Sequence, residues 1–280
     1  MAINFKLLFQ QTGKLLLFYT MEARGLYYAL PFNRNKTHNI KILPGHTIKY
    51  AAKGDIAEII YKNQVLVKHR KSFEYTTLEL FSTLLKEGDV IVDVGANSGL
   101  YSIFYSKLVG NTGAVHAFEP DTETFVMLQE NISLNNCTNI ATYNLALSNK
   151  ASIIEMVSFD PDGFKPKDGD SFKYIKEVAP GSVNNGGNTM TAIKMDDVPE
   201  LQAIKKIDYI KIDVEGAELL VLQGAIDTIA KHKPVIIFEL SGKWTKRFNY
   251  KPYQILVLLK DLGYEMDEYD IEQWIAKPAN

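Results

Sequence analysis

Val90-Ile91-Val92-Asp93-Val94-Gly95-Ala96-Asn97-Ser98-Gly99-Leu100 is the stretch that decides the fold. Its first five residues are a short, continuously apolar run broken by one acid, the pattern of a strand buried on both faces. Gly95 to Gly99 is a tight loop. Leu100, Ile103, Phe104 and Leu108 then recur at helical spacing. Strand, loop and helix within about twenty residues is the first half of a βαβ unit.

Outward from this stretch the unit repeats. Val115 to Phe118 predicts a second strand, ending at Glu119-Pro120, with Phe125, Leu128 and Ile132 on the helix after it. Ile140 to Asn144 predicts a third strand, Tyr209 to Asp213 a fourth, and Val235 to Phe238 a fifth, closed by Glu239. One helix carries Leu219, Leu222, Ile226 and Ile229. Another carries Ile255, Leu258 and Leu262 and opens at Pro252, which suits a first helical turn. Residues 264–269 and 272–276 predict an antiparallel edge pair. The alternation predicts an α/β fold: a doubly wound, mostly parallel, Rossmann-like sheet with helices on both faces. Such sheets bind ligands at the carboxyl ends of their strands. Glu119, Asp213, Glu239 and the Gly95–Gly99 loop all fall there.

Residues 1–84 precede this pattern and read as a helical and β-hairpin extension. Residues 1–36 predict one or two helices. Ile40–Leu43 and Ile48–Ala51 predict strands about Pro44-Gly45, and 59–67 a hairpin turning at Lys62-Asn63-Gln64. A helix from about Tyr75 to Lys86 carries Leu78, Phe81 and Leu85 on one face. Residues 85–280 form the core, interrupted by a turn-rich insertion at 158–190 that holds Pro161, Gly163, Pro166, Gly169, Pro180, Gly186 and Gly187. Loops of this length are lids, binding loops or floppy excursions.

Composition narrows the class. The 280 residues carry 31 Lys+Arg against 33 Asp+Glu, a formal charge of -2, which leaves no electrostatic footprint for nucleic acid. The single cysteine, Cys137, excludes an intramolecular disulfide and a multi-cysteine metal cluster, and fits a reducing, cytoplasmic setting. No apolar run approaches the roughly 18–20 residues of a membrane span. Leu8, Lys14, Arg24 and the aromatics of residues 4–32 suit a helix packed on its own domain or on a second subunit, as in a homodimer. Peripheral membrane contact through the same segment stays open.

The loop discriminates among ligands. A dinucleotide fingerprint counted from Gly95 requires glycine at 97 and 100, where Asn97 and Leu100 stand, and no Walker pattern exists. Glu119 lies 24 residues past Gly95, about where a doubly wound fold sets an acid on a ribose diol. It could instead complement the dipole of the next helix. A ribose acid without phosphate machinery suits an adenosyl ligand lacking phosphates, with S-adenosylmethionine as the natural candidate. Asp93 and Asp213 add negative field for its sulfonium. The missing glycines oppose a nicotinamide oxidoreductase. A cofactor-binding scaffold without catalysis is the other rival.

Three motifs in order, Asp93-Val94-Gly95-Ala96-Asn97-Ser98-Gly99-Leu100-Tyr101-Ser102, Phe118-Glu119-Pro120 and Lys211-Ile212-Asp213-Val214-Glu215-Gly216-Ala217-Glu218, closely resemble the FkbM family of S-adenosylmethionine-dependent methyltransferases. The resemblance covers about residues 75–240. It implies a class I methyltransferase fold and O-methylation of a hydroxyl on a small molecule or glycan. It implies that Gly95, Ala96, Asn97 and Gly99 line the methionine part, with Ser102 nearby. Glu119, in the Glu119-Pro120 motif, would hold the ribose; residues near Leu145 and Ala146 would approach the adenine; Asp213 would face the reaction edge.

Methyl transfer to an alcohol gains from a general base. Asp213, Glu215 and Glu239 are the candidates. Glu215 and Glu218 also suit a helix N-terminus. Asp213 and Glu239 could instead share Mg²⁺, although carboxylates alone fill only part of an octahedral site, so no metal is expected. The five histidines sit away from the strand ends, His116 being inside the second strand. Lys243, Trp244, Lys246, Arg247 and Tyr250 form a basic-aromatic cluster that suits either a solvated loop or contact with a ring or an anionic substrate.

Overall fold

The computed structural model describes residues 37–51, 75–157, 174–178 and 189–279. The helices read in 1–36, the hairpin at 59–67 and most of the 158–190 insertion lie outside these residues. The chain divides into two compact units, the boundary falling after Glu79. In the first, β1 (Thr37–Leu43) and β2 (His46–Ala51) pair antiparallel around Pro44-Gly45. Gly45 has φ +85°, which a side chain adopts with strain. Helix α1 (Tyr75–Leu84) crosses the boundary.

The second unit is built on β3 (Val90–Val94), α2 (Leu100–Val109), β4 (Ala114–Phe118), α3 (Thr122–Leu134) and β5 (Ile140–Tyr143). After a detour through four further strands come β10 (Tyr209–Ile212), β11 (Val235–Glu239), α7 (Tyr253–Asp261) and the closing strands β12 (Tyr264–Asp270) and β13 (Gln273–Pro278). The seven-stranded order is β12-β13-β11-β10-β3-β4-β5. β5, β4, β3, β10 and β11 run parallel, and β13 runs antiparallel between β11 and β12. The chain leaves β3 toward β4 and returns on the other side at β10. The strand order therefore reverses between β3 and β10, where a doubly wound sheet opens its ligand crevice.

Burial explains the pattern. Ile91, Val92, Val115, Ala117 and Phe118 are fully enclosed because helices cover both faces, so these strands show no polar alternation. One core gathers Val92, Val94, Phe118, Ile210, Ile212, Leu222, Ile229 and Phe238. Phe81, Tyr101, Tyr105 and Phe104 pack aromatic rings where α1 meets α2.

Two departures from the periodic reading stand out. The detour between β5 and β10 is not all turn. β6 (Ala146–Leu147), β7 (Ser152–Val157), β8 (Tyr174–Glu177) and β9 (Thr189–Ile193) form a second sheet in the order β6-β9-β7-β8. β8 and the start of β9 lie inside the range read as insertion. Strands this short take their stability from paired neighbours, which leaves a weak local signal. Second, the single helix expected over Leu219–Ile229 is two: α5 (Glu218–Gln223) and α6 (Ile226–His232), α4 (Pro199–Gln202) preceding β10. The break falls at Gly224, where a Cβ would come within 2.0 Å of the Ser148 carbonyl oxygen. Asp196 then caps α6 from outside, accepting from the Thr228 amide at 2.8 Å and the Asp227 amide at 3.1 Å. Among the described residues, no helix is long and apolar enough to cross a membrane.

Candidate active site

The ends of β4, β3, β10 and β11 lie side by side, so Glu119, the Gly95–Gly99 loop, Asp213 and Glu239 share one edge. Gly95 has φ +81°, and a Cβ there would fall 1.9 Å from the Asp213 carbonyl oxygen. Only glycine lets the two loops cross this closely. The Gly95 and Ala96 amides both donate to the Phe118 carbonyl, at 3.0 and 2.9 Å, and the Asp213 amide donates to Val94 at 3.0 Å. Three strand ends are thereby tied into one cradle.

Asn97 turns the loop with φ 49°. Its amide donates to Glu119 Oε2 at 2.9 Å, and the Asp121 amide donates to Glu119 Oε1 at 2.9 Å. Glu119 is buried, and a carboxylate oxygen can accept more than one hydrogen bond. Asn144 Nδ2 donates to the carbonyls of Glu119 and Pro120, both at 2.9 Å, and so holds the Glu119-Pro120 corner. Asn131 Nδ2, fully buried, donates to the Ser98 carbonyl at 2.9 Å. Gly99 opens α2 with φ 93°, pressed against Leu128. Leu145 packs on the core beside Tyr143, and Ala146 is buried in the β6–β9 pair.

A charged network underlies the cradle. Asp93 and Lys211 are register partners on β3 and β10, and residue 213 shares their face of the sheet. Lys211 Nζ lies 3.1 Å from Asp213 Oδ2, 3.9 Å from Asp93 Oδ1 and 4.5 Å from the centre of the Tyr101 ring. Ser102 Oγ donates to Asp93 Oδ2 at 2.6 Å. Burial pushes the Asp93 carboxyl above its usual range, while Lys211 and Ser102 pull it back. Lys211 was not singled out from the sequence. The signal was there, since a lysine inside an otherwise apolar strand must find an anionic partner.

After β10 the chain takes two left-handed residues, Glu215 (φ 55°) and Gly216 (φ 106°), before α5. A glutamate with positive φ is a strained outlier of the kind that collects at functional sites. Burial, reinforced by Asp213 and Glu218, pushes the Glu215 carboxyl up to about 8. Its Oε2 is buried without a hydrogen-bond partner. Glu239 is raised as well, by burial and by the charges of Asp213 and Glu215. The sequence alone left Glu218 as a helix-dipole acid. Here it is 1% exposed, accepts from the Val214 and Gly216 amides and contacts the Tyr250 hydroxyl at 3.3 Å. Burial lifts it to about 7. Tyr250, expected in a basic-aromatic cluster, is buried and donates to the Gly216 carbonyl at 2.7 Å. Among the described residues, no group of three or more His, Cys, Asp or Glu is placed to hold a metal. His116 pairs its Nδ1 with the Tyr143 hydroxyl at 2.9 Å, and His232 Nδ1 accepts from the Ile207 amide at 3.2 Å, both off this edge.

A doubly wound sheet with a reversed last strand inserted before its edge, a glycine loop after the first strand and an acid after the second defines the class I methyltransferase fold. The chain belongs to the FkbM methyltransferase family: residues 93–266 match the Methyltransferase FkbM domain. Methyltransferase sdnD of Sordaria araneosa is 27% identical over 215 residues, 68% of this chain and 78% of the relative. Hexuronic acid methyltransferase AglP of Haloferax volcanii is 30% identical over 165 residues, 59% of this chain and 61% of that protein. The 31-O-demethyl-FK506 methyltransferase FkbM of Streptomyces tacrolimicus is 29% identical over 167 residues, 51% of this chain and 62% of its own. The chain thus spans less than two thirds of the latter two.

Proposed function

We propose that this methyltransferase uses S-adenosylmethionine to O-methylate a hydroxyl of a small molecule or glycan. The observation that carries the reading is the pairing of a fixed carboxylate with a second acid group across the same crevice. Glu119 is pinned by two amides beside the glycine loop, and Glu215 and Glu239 lie beyond Asp213 with raised proton affinity. The donor set fits an adenosyl sulfonium: Glu119 accepts from ribose hydroxyls, the loop of Gly95, Ala96, Asn97 and Gly99 allows close backbone approach, and the Asp93–Lys211–Asp213 network lies at the same strand ends. The bound cofactor supplies an activated methyl group, so the protein's task is alignment and proton removal.

The acceptor hydroxyl gives its proton to a carboxylate of the edge. A base whose pKa lies near the working pH is best suited to this transfer. Glu215, raised to about 8 and with a buried unpartnered oxygen, meets that criterion. Burial, with the neighbouring charges of Asp213 and Glu218, holds it there. A hydroxyl acceptor agrees with the name of one relative, the 31-O-demethyl-FK506 methyltransferase, while the hexuronic acid named for another offers both hydroxyl and carboxyl oxygens.

Calorimetry with S-adenosylhomocysteine tests the cofactor: saturable binding is expected, and a flat titration refutes it. Transfer of labelled methyl should give a product stable to mild base, as an ether is. Label released by base would identify an ester and overturn the O-methyl ether assignment.

A further inference from the structure

Glu215 sits in a turn whose backbone is held by two side chains other than its own. After β10 the chain passes through Val214, Glu215 (φ 55°) and Gly216 (φ 106°) before α5 opens. Ala217 stands at the N-cap of α5 and has no side-chain hydrogen bond to offer. Glu218, the first residue of the helix, reaches back instead. Its Oε1 accepts the amides of Val214 at 3.2 Å and Gly216 at 3.1 Å, the two residues that flank Glu215. The Gly216 carbonyl accepts from the Tyr250 hydroxyl at 2.7 Å, and a Cβ on Gly216 would fall 2.5 Å from the Trp244 carbonyl oxygen. Glu218 thus grips the turn on both sides of Glu215, and Tyr250 grips it from the segment after β11.

The hydrogens available fix how the two side chains are linked. A phenol has one hydrogen to donate. The Gly216 carbonyl at 2.7 Å takes it in preference to Glu218 Oε2 at 3.3 Å. The Leu219 amide approaches the same phenolic oxygen at 3.4 Å as a donor. Glu218 Oε2 and the Tyr250 oxygen would then face each other with lone pairs only, a costly arrangement in a buried site. A proton on Glu218 Oε2 removes the conflict: Oε1 keeps both amides, and Oε2–H donates to Tyr250. Glu218 is 1% exposed, and Tyr250, Asp213, Glu215 and Glu239 are the titratable groups that face it. Burial, the largest effect, favours its neutral form and Asp213 adds to it, while the amides favour the carboxylate. Arg247 and Lys211 oppose the acids at Glu215.

We propose that Glu218 and Tyr250 are positioning residues: joined by a hydrogen bond from Glu218 Oε2 to the Tyr250 oxygen, they lock the left-handed turn that presents Glu215 to the acceptor. The inference rests on the reading of Glu215 as the base that takes the acceptor's proton. Both residues act through Glu215. Positive φ is strained for a glutamate, so the turn persists only where its surroundings hold it. A relaxed turn would carry the Glu215 carboxyl into water, and its proton affinity would fall back toward the ordinary carboxylate range.

The test uses the full chain with isotope-labelled glutamate side-chain carboxyls, each followed by NMR against pH and assigned by Glu215→Gln and Glu218→Gln. At about pH 6 the Glu218 carboxyl of the parent should be neutral. A Glu218 signal in the ionised position there overturns the link to Tyr250. Glu218→Gln and Glu218→Leu both remove the acid, but only glutamine offers a carbonyl to the two amides and an NH₂ to Tyr250. Glu215 should therefore titrate at least about one pH unit lower in Glu218→Leu than in Glu218→Gln, the lost charge being common to both. Tyr250→Phe, which conserves the ring and stands in for Glu218→Leu should that variant not fold, should lower the Glu215 midpoint by a similar amount. Equal Glu215 midpoints in the two Glu218 variants, or a parental midpoint in Tyr250→Phe, overturn the positioning role. A parent Glu215 that titrates in the ordinary carboxylate range refutes the underlying reading of it as the base instead. Parent protein that binds no S-adenosylhomocysteine in calorimetry refutes the cofactor reading, whatever the carboxyl titrations show.

Discussion

Exchange of Glu119 for glutamine alters one atom and separates two roles of the same side chain. Glu119 Oε1 and Oε2 each accept one backbone amide at 2.9 Å, from Asp121 and Asn97. Glutamine presents one carbonyl oxygen and one NH₂. The oxygen can keep one amide, now without charge assistance, while the NH₂ opposes the other. A lost charge-assisted bond and a buried amide without a partner together cost about 2–4 kcal/mol of stability. The ribose hydroxyls would lose an anionic acceptor, worth about 1.5–3 kcal/mol, so S-adenosylhomocysteine should bind about 10- to 100-fold more weakly. Calorimetry well below the melting temperature measures affinity on folded protein, and thermal denaturation of the same sample measures the stability cost. The 2′-deoxy ligand completes a cycle: the parent should discriminate against it, and Glu119→Gln should discriminate less. A folded, destabilised variant that binds S-adenosylhomocysteine like the parent would refute the ribose assignment and leave Glu119 as a brace for the loop.

Three further outcomes follow from the same geometry. Glu215, raised to about 8 from a solution value near 4.5, binds its proton more tightly in the folded state, so between those values folding takes up protons and stability falls as pH rises. The stability-against-pH slope should flatten in Glu215→Gln, while catalytic rate in the parent should climb through the same interval; a slope unaltered by the substitution contradicts the assignment. Lys211→Met leaves Asp93 and Asp213 without their shared cation and should cost about 3–5 kcal/mol, as loss of one partner from a buried pair does. Asp93→Asn in the Lys211→Met background should recover part of that melting temperature, and additive losses would argue against coupling. Gly95→Ala places a Cβ 1.9 Å from the Asp213 carbonyl oxygen on a backbone with φ +81°, so the cradle must open. Soluble Gly95→Ala protein with parental melting temperature and S-adenosylhomocysteine affinity would show that the two loops do not need this contact.

Five parallel strands, their helices and the antiparallel closing pair were legible from apolar runs and turn residues. A strand enclosed on both faces, such as Val90–Val94, advertises itself as an unbroken run. The glycine loop was legible because positive φ selects glycine. The break at Gly224 was not, since the apolar spacing continues through it and the intruding carbonyl belongs to Ser148, 76 positions away in the chain. β6 to β9 were hidden because alternation such as that of Thr189–Ile193 is too short to stand out.

For the site, the sequence by itself determined which acids stand at strand ends, because a residue's place at the end of an apolar run is a local property. It also determined family membership, which ordered motifs carry without reference to space. Only the tertiary structure decided what each acid does. Glu119 became a loop-braced acceptor because the Asn97 amide reaches it across 22 positions. Glu218 became a buried brace through Tyr250, 32 positions on. Lys211 joined the site because parallel pairing sets it beside Asp93. Proton affinity, hydrogen-bond partnership and burial depend on neighbours brought together by the sheet crossover, and no local window of sequence contains them.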